Sequence, residues 1–199
     1  MIAVLTGDIK NSTGVDASEW MPALKSALDT YGTEPKAWEI YRGDSFQLET
    51  LPNNALDAAI SIKASIKQFK NLDVRIAIGL GEKQYQAEKI TESNGEAFVN
   101  SGKCFEGLKK QNLGIKSSNK TFDEHINLLI ELALLTMDNW PPATASTVRY
   151  ALLNPNKNQK QLAQLLKKSQ GNISEELTKA GFDALQKMIR FYKSHYPKP

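Results

Sequence analysis

The sequence predicts an α+β chain in two parts, a sheet-and-helix unit followed by an all-helical segment. Three observations predict it. The first eighty residues switch between the period of two typical of strands and the period of 3.6 typical of helices, in the order βαββαβ. Beyond Trp140-Pro141-Pro142 only the helical period recurs. The charge divides at the same region: residues 1–154 hold 16 Lys/Arg against 19 Asp/Glu, and residues 155–199 hold 9 against 3, net charges of −3 and +6.

Residues 2–9 are an apolar strand, and residues 17–30 place Trp20, Leu24, Ala27 and Leu28 at helical spacing. Two short runs, 37–41 and 45–49, flank Arg42-Gly43-Asp44 and predict a hairpin whose turn the glycine permits. Residues 56–69 read as an amphipathic helix with Ile60, Ala64 and Phe69 on its buried face. In 73–79, Val74, Ile76 and Ile78 alternate with Arg75 and Ala77 as in a half-buried strand. This order is typical of a ferredoxin-like sandwich, an antiparallel sheet covered on one face by two helices. The polar region 84–120 reads as a connecting segment with one helix, 96–108, carrying Phe98, Phe105 and Leu108. Thr121-Phe122-Asp123-Glu124 has the form of a capping box opening an apolar helix that ends near Trp140, a core or dimer-interface element. Three helix patterns follow, at 143–153, 159–167 and one long stretch over 172–195. The expected organisation is therefore a sheet domain over 1–120, a connecting helix over 121–140 and a helical domain over 142–199.

Composition narrows the chemistry. One cysteine, Cys104, excludes an intramolecular disulfide and points to a reducing cytoplasm. Two histidines, His125 and His195, leave little for a His-based metal centre. The apolar start Met1 to Leu5 lacks a basic flank and is too short for a signal or a membrane span. Cys104 reads as a small buried apolar residue, since no histidine lies near it in sequence.

Two aspartates stand out, each at the tip of a strand pattern: Asp8 in the first strand and Asp44 in the hairpin. If these strands are neighbours, the carboxylates meet at one sheet edge and form an oxygen-rich site suited to a hard divalent cation and a phosphate ester. Each also has an ordinary use, Asp8 as a helix cap and Asp44 as a turn residue. Arg42 can hold Asp44 ionised, clamp a phosphate or remain solvated. Asn94 and Glu96 line the same pocket or belong to an Asn-Gly turn.

In the basic tail, residues 168–171 form a short glycine-containing turn between two helices, as a helix-turn-helix requires. In that frame Ser169, Gln170, Asn172, Ser174, Glu175 and Lys179 face outward at the start of a recognition helix, and Lys160, Lys167 and Lys168 meet DNA phosphates. A plain helical hairpin with a solvated basic surface is the other reading. Glu175 and Glu176 weigh toward it, because carboxylates near phosphates repel.

Asp8-Ile9, Arg42-Gly43-Asp44-Ser45, the run 74–82 and the block 95–106 resemble, in order and spacing, a class III nucleotidyl cyclase catalytic domain. With its helical tail the whole chain resembles the SatD-like family of bacterial proteins, described as joining such a domain to a helix-turn-helix. The resemblance implies a nucleotidyl cyclase-like ferredoxin fold and a divalent metal, Mg²⁺ or Mn²⁺, held by Asp8, Asp44 and the backbone at Ile9. It also implies phosphate contacts from Lys10, Asn11, Ser12 and Thr13, and a site role for Asn100. Two departures follow. Trp38 to Tyr41 carry no base-selecting lysine, and the position of the transition-state arginine holds Cys104. Loss of such a cation costs on the order of 10³-fold in rate, so efficient cyclisation is not expected. Two functions then fit. One is a dimeric cytoplasmic transcription regulator that binds a nucleotide or phosphorylated ligand with metal and contacts DNA through its tail. The other is a metal-dependent enzyme acting on a nucleotide phosphoester, with the tail used for dimerisation.

Overall fold

The computed structural model describes residues 1–198. Its first part is an α+β unit built on a mixed five-stranded sheet, and about five helices follow. The sheet contains β1 (Ile2–Lys10), β2 (Trp38–Tyr41), β3 (Ser45–Thr50), β4 (Asp73–Gly81) and, after a separate two-stranded ribbon of β5 (Lys83–Tyr85) and β6 (Asn94–Gly95), β7 (Leu113–Lys116). The strand order is β2-β3-β1-β4-β7, antiparallel throughout except between β4 and β7.

Alternation assigns the faces. Ala3, Leu5 and Ile9 of β1, with Ile76, Ile78 and Leu80 of β4, enter the core beneath α1 (Ala17–Asp29) and α2 (Ala55–Lys67). Thr6, Asp8 and Lys10 therefore point to the opposite face, as do Arg75, Ala77 and Gly79. That second face is the first departure from expectation: it carries α3 (Glu96–Gly107) across β4 and β1, and the sheet is mixed rather than antiparallel. The cause is β7. A parallel neighbour needs a crossover, and the segment containing α3 supplies it. At four residues, β7 is too short for alternation to separate it from the polar loop around it.

Close approach of α3 depends on Gly79, where a Cβ would run into the Ala97 carbonyl and the Ser101 amide. The Thr6 and Ser101 hydroxyls share a hydrogen bond of 3.1 Å, and the buried Asn100 amide donates to the Leu80 carbonyl at 2.8 Å.

Beyond the sheet, α4 (Lys120–Met137) packs on β7. Its cap is Asn119, whose side chain accepts from the Phe122 amide, and not the expected Thr121; Asp123 is engaged instead by the amide and hydroxyl of Ser117. Then come α5 (Pro142–Leu153), α6 (Gln159–Leu166), α7 (Gln170–Lys179) and α8 (Phe182–His195). The expected long helix over 172–195 is two helices. Gly181 breaks it with φ +66°, a left-handed conformation that glycine adopts without steric cost. One continuous set of buried residues, from Ala3 to Tyr192, joins sheet and helices. The Tyr192 hydroxyl donates to the Pro52 carbonyl at 2.6 Å, and Lys63 on α2 reaches both Asp73 and Asp138 at 2.6 Å. Among the described residues no helix is long and apolar enough to cross a membrane.

Candidate functional site

Register brings the two aspartates to neighbouring positions. Asp8 is the partner of Ser45 across β1 and β3, and the Ile9 amide donates to the Asp44 carbonyl at 3.0 Å. Their carboxylates have different partners. Asp44 accepts from the Ser12 hydroxyl at 2.7 Å, which anchors the turn after β1 to the hairpin. Asp8 is gripped by Arg75 of β4, its cross-strand partner: Nε reaches Oδ1 at 3.0 Å and Nη2 reaches Oδ2 at 2.5 Å. The guanidinium also lies 5.0 Å from the Phe105 ring centre, so the fork and the aromatic of α3 together set its orientation. This bond to Asp8 raises the Arg75 pKa further.

Asp8 and Arg75 are one-quarter to one-third exposed, so the pair sits at the rim of the α3 face rather than inside it. Tyr41 adds a phenol there. Burial pushes its pKa up, Arg42 opposes this and Asp8 adds to it, so the hydroxyl remains protonated at neutral pH. Arg42 itself holds a left-handed turn position with φ +54°.

The oxygen donors are of the class a hard divalent ion takes. They are two carboxylates on adjacent strands, with no group of three metal-ligating side chains among the described residues. Such a donor set fits a Mg²⁺-like ion only when ligand oxygens and water complete the shell. Both Asp8 oxygens are held by Arg75, which must move before Asp8 can ligate a cation.

Other expected contacts are scattered. Lys10 donates to the Asn112 side chain at 3.1 Å, and Asn11 donates to the Asn71 carbonyl at 3.0 Å. Thr13 lies in a 3-10 turn, Ser12–Gly14, that consumes the Gly14 and Val15 amides internally. Asn100 is buried and used in holding α3, as described above. Asn94 and Glu96 lie at the far end of β1: Glu96 accepts from the Glu82 amide, beside Gly81, which pairs with Ile2. Six steps along the strand separate Ile2 from Asp8, about 20 Å, so Asn94 and Glu96 do not join the aspartate site. Arg75, Tyr41 and Phe105 take their place. The alternation of 73–79 already placed Arg75 on the polar side; only the β1/β4 register selects Asp8 as its partner.

Cys104 is half-buried on α3, and burial raises its pKa from 9.0 to about 12. At pH 8 the folded chain therefore keeps a protonated thiol. Iodoacetamide labelling of the native protein is expected to run at least about tenfold slower than in urea. Equal rates would show an accessible thiolate instead.

At the helical end, α6 and α7 are joined by Lys167-Lys168-Ser169 rather than by the expected 168–171, and Gly171 lies inside α7; Lys167 takes the left-handed position instead of a glycine, and Ser169 caps α7 through its hydroxyl. Ala163, Ile173 and Leu177 are buried between the helices. Lys160, Lys167, Gln170, Asn172 and Lys179 are exposed, whereas Ser174 is half-buried. Lys168 does not face outward. Its ammonium reaches both Glu176 oxygens, at 2.8 and 2.9 Å, and the Thr147 hydroxyl at 3.1 Å, binding α5 to the α6–α7 pair. Glu176 thus turns inward too, and Glu175 pairs with Lys179 at 2.7 Å on the surface.

No protein family, curated protein or solved structure matches the chain.

Proposed function

We propose that this chain is a transcription regulator whose sheet unit binds a nucleotide, or a ligand with similar phosphates, together with Mg²⁺ or Mn²⁺, and whose α6–α7 pair binds DNA. The observation that carries the ligand half is the Asp8–Arg75 ion pair at the exposed rim beside Asp44. A metal–phosphate complex is itself an ion pair. Its cation can replace the guanidinium at Asp8 while its phosphate takes up Arg75, so charge stays paired throughout the exchange. When bound, the metal would neutralise and orient the phosphates. Ser12 holds the Asp44 carboxylate at the site, and Phe105 holds Arg75 there.

The strand order β2-β3-β1-β4, with α1 and α2 on one face, agrees with a ferredoxin-like, cyclase-like sandwich. With the tail, it is consistent with the SatD-like resemblance. Binding without efficient cyclisation is favoured because the position of the catalytic arginine holds Cys104, and because the strand segment 38–41 carries no base-selecting lysine. For the DNA half, the three-residue connection and the exposed Lys160, Lys167, Gln170 and Asn172 support a helix-turn-helix. The inward pairing of Lys168 and Glu176 removes one phosphate contact and one repulsive carboxylate together.

The test is a thermal-shift titration of wild type, Asp8→Asn and Asp44→Asn with nucleoside mono-, di- and triphosphates, with and without Mg²⁺ or Mn²⁺. A ligand at 100 times its dissociation constant stabilises by about 2.7 kcal/mol. The expected result is a metal-dependent shift in wild type that both variants lose, with no nucleotide consumed. Turnover lost in Asp8→Asn would make the chain an enzyme. No shift with any nucleotide would reduce the site to a structural ion pair. In parallel, duplex DNA binding should weaken with salt and weaken further in Lys160→Ala/Lys167→Ala.

A further inference from the structure

Helix α4 has two apolar faces, and the fold uses one. Ile126, Ile130, Leu134 and Met137 enter the core. On the other side Leu128, Leu132 and Leu135 are 57%, 56% and 70% exposed. Their spacing of four then three continues back through His125 and Thr121, which gives an unbroken 4-3-4-3 series over 121–135. That is the alternation of the a and d positions of a heptad, with His125 and Leu132 at a and Thr121, Leu128 and Leu135 at d.

The flanks of this seam differ in charge. Glu124 and Glu131, both exposed, occupy the g positions on one side. On the other, Leu129 and Thr136 at e form a groove of about 540 Å³ with Lys187, Met188 and Phe191 of α8, and Lys187 is exposed.

We propose that a second copy of this chain covers the seam, with the two α4 helices packed parallel about a two-fold axis along them. The charges select this orientation. In a parallel pair, g of one helix faces e of the other, so Glu131 of each copy meets the Thr136–Lys187 rim of its partner. An antiparallel pair would set g against g, Glu131 against Glu131. The polar a position His125 holds the register, since a one-heptad slip would set it against Leu132. This surface is independent of the nucleotide and DNA readings and stands if both fail.

The test uses the full chain in solution. Light scattering should give twice the 22.1 kDa chain mass for wild type and a single chain mass for Leu132→Glu. Because Leu132 is exposed in the single chain, the circular dichroism of that variant should not change. Glu131→Lys and Lys187→Glu should each weaken the dimer severalfold, and the double reversal should restore it. In a Cys104→Ser background, Leu128→Cys and Leu135→Cys should each cross-link to themselves on mild oxidation. Three outcomes would overturn the proposal: a monomeric wild type, which leaves the face to a different partner; a dimer that survives Leu132→Glu, which uses another surface; and cross-linking only when the two cysteine variants are mixed, which means antiparallel packing.

Discussion

Replacing Lys63 with methionine is expected to lower the stability of the chain by about 3 kcal/mol, a drop in melting temperature of roughly 10 °C for a chain of this size. Lys63 is 1% exposed, and its ammonium stands between Asp73 and Asp138, at 2.6 Å from each. Desolvating that ammonium is tolerable only because two carboxylates surround it. Removing it leaves the carboxylates facing an apolar side chain, and breaking a buried pair in this way is among the costliest single changes. Lys67 moderates the loss, since it reaches Asp73 at 3.4 Å and donates to the Asp138 carbonyl at 2.7 Å. Adding Asp138→Asn to Lys63→Met should recover part of the stability, because one uncompensated charge is then gone. Urea unfolding of the two variants measures both effects. A single-variant loss below about 1 kcal/mol would mean that water reaches the ammonium and that the cluster is ordinary surface pairing. The cluster ties α2, β4 and the end of α4 together, so its loss should also loosen the helical segment from the sheet.

Gly79→Ala is the second change with a large expected effect, about 3 kcal/mol or more, beyond the usual cost of overpacking by one methyl. The obstruction explains why. The new Cβ would meet the Ala97 carbonyl and the Ser101 amide, which are backbone atoms of a helix and cannot rotate aside. Relief requires α3 to lift as a body, stretching the Thr6–Ser101 and Asn100–Leu80 hydrogen bonds. Phe105 rides on the same helix and would leave its place beside Arg75. The variant should therefore melt lower and also show faster amide exchange in 96–107. Unchanged stability would mean that α3 is held loosely enough to shift, and that its contact with the sheet matters little.

The aspartate site was half legible in the sequence. Asp8 and Asp44 stood at strand tips, and the register does set them side by side, because the hairpin and the first strand are adjacent in the sheet as well as near in sequence. Arg75 was visible only as a polar position in an alternating strand. Its pairing with Asp8 spans 67 residues and depends on which edge of β1 receives β4. Asn94 and Glu96 had a pocket-like context in sequence, yet they sit at the opposite end of β1, since the loop before α3 returns to the β4 end nearest Ile2. The tail shows the same limit. That a turn divides two helices near 168 could be read locally, although its bounds fell at 167–169 rather than 168–171, whereas the inward rotation of Lys168 toward Glu176 and Thr147 required α5 to be in place.

By itself the sequence determined the kinds of the principal elements and most of their positions: four of the seven strands, the α1 to α6 pattern, and the break between sheet and helices. Hydrophobic period is a property of neighbouring residues, so folding the rest of the chain does not alter it. The tertiary structure alone decided that Asp8 is paired with a guanidinium, that Lys63 lies between two carboxylates, that β7 closes the sheet in parallel, and that three leucines of α4 remain on the surface. Each of these depends on register and on which faces are already covered when distant segments meet. A local pattern carries neither.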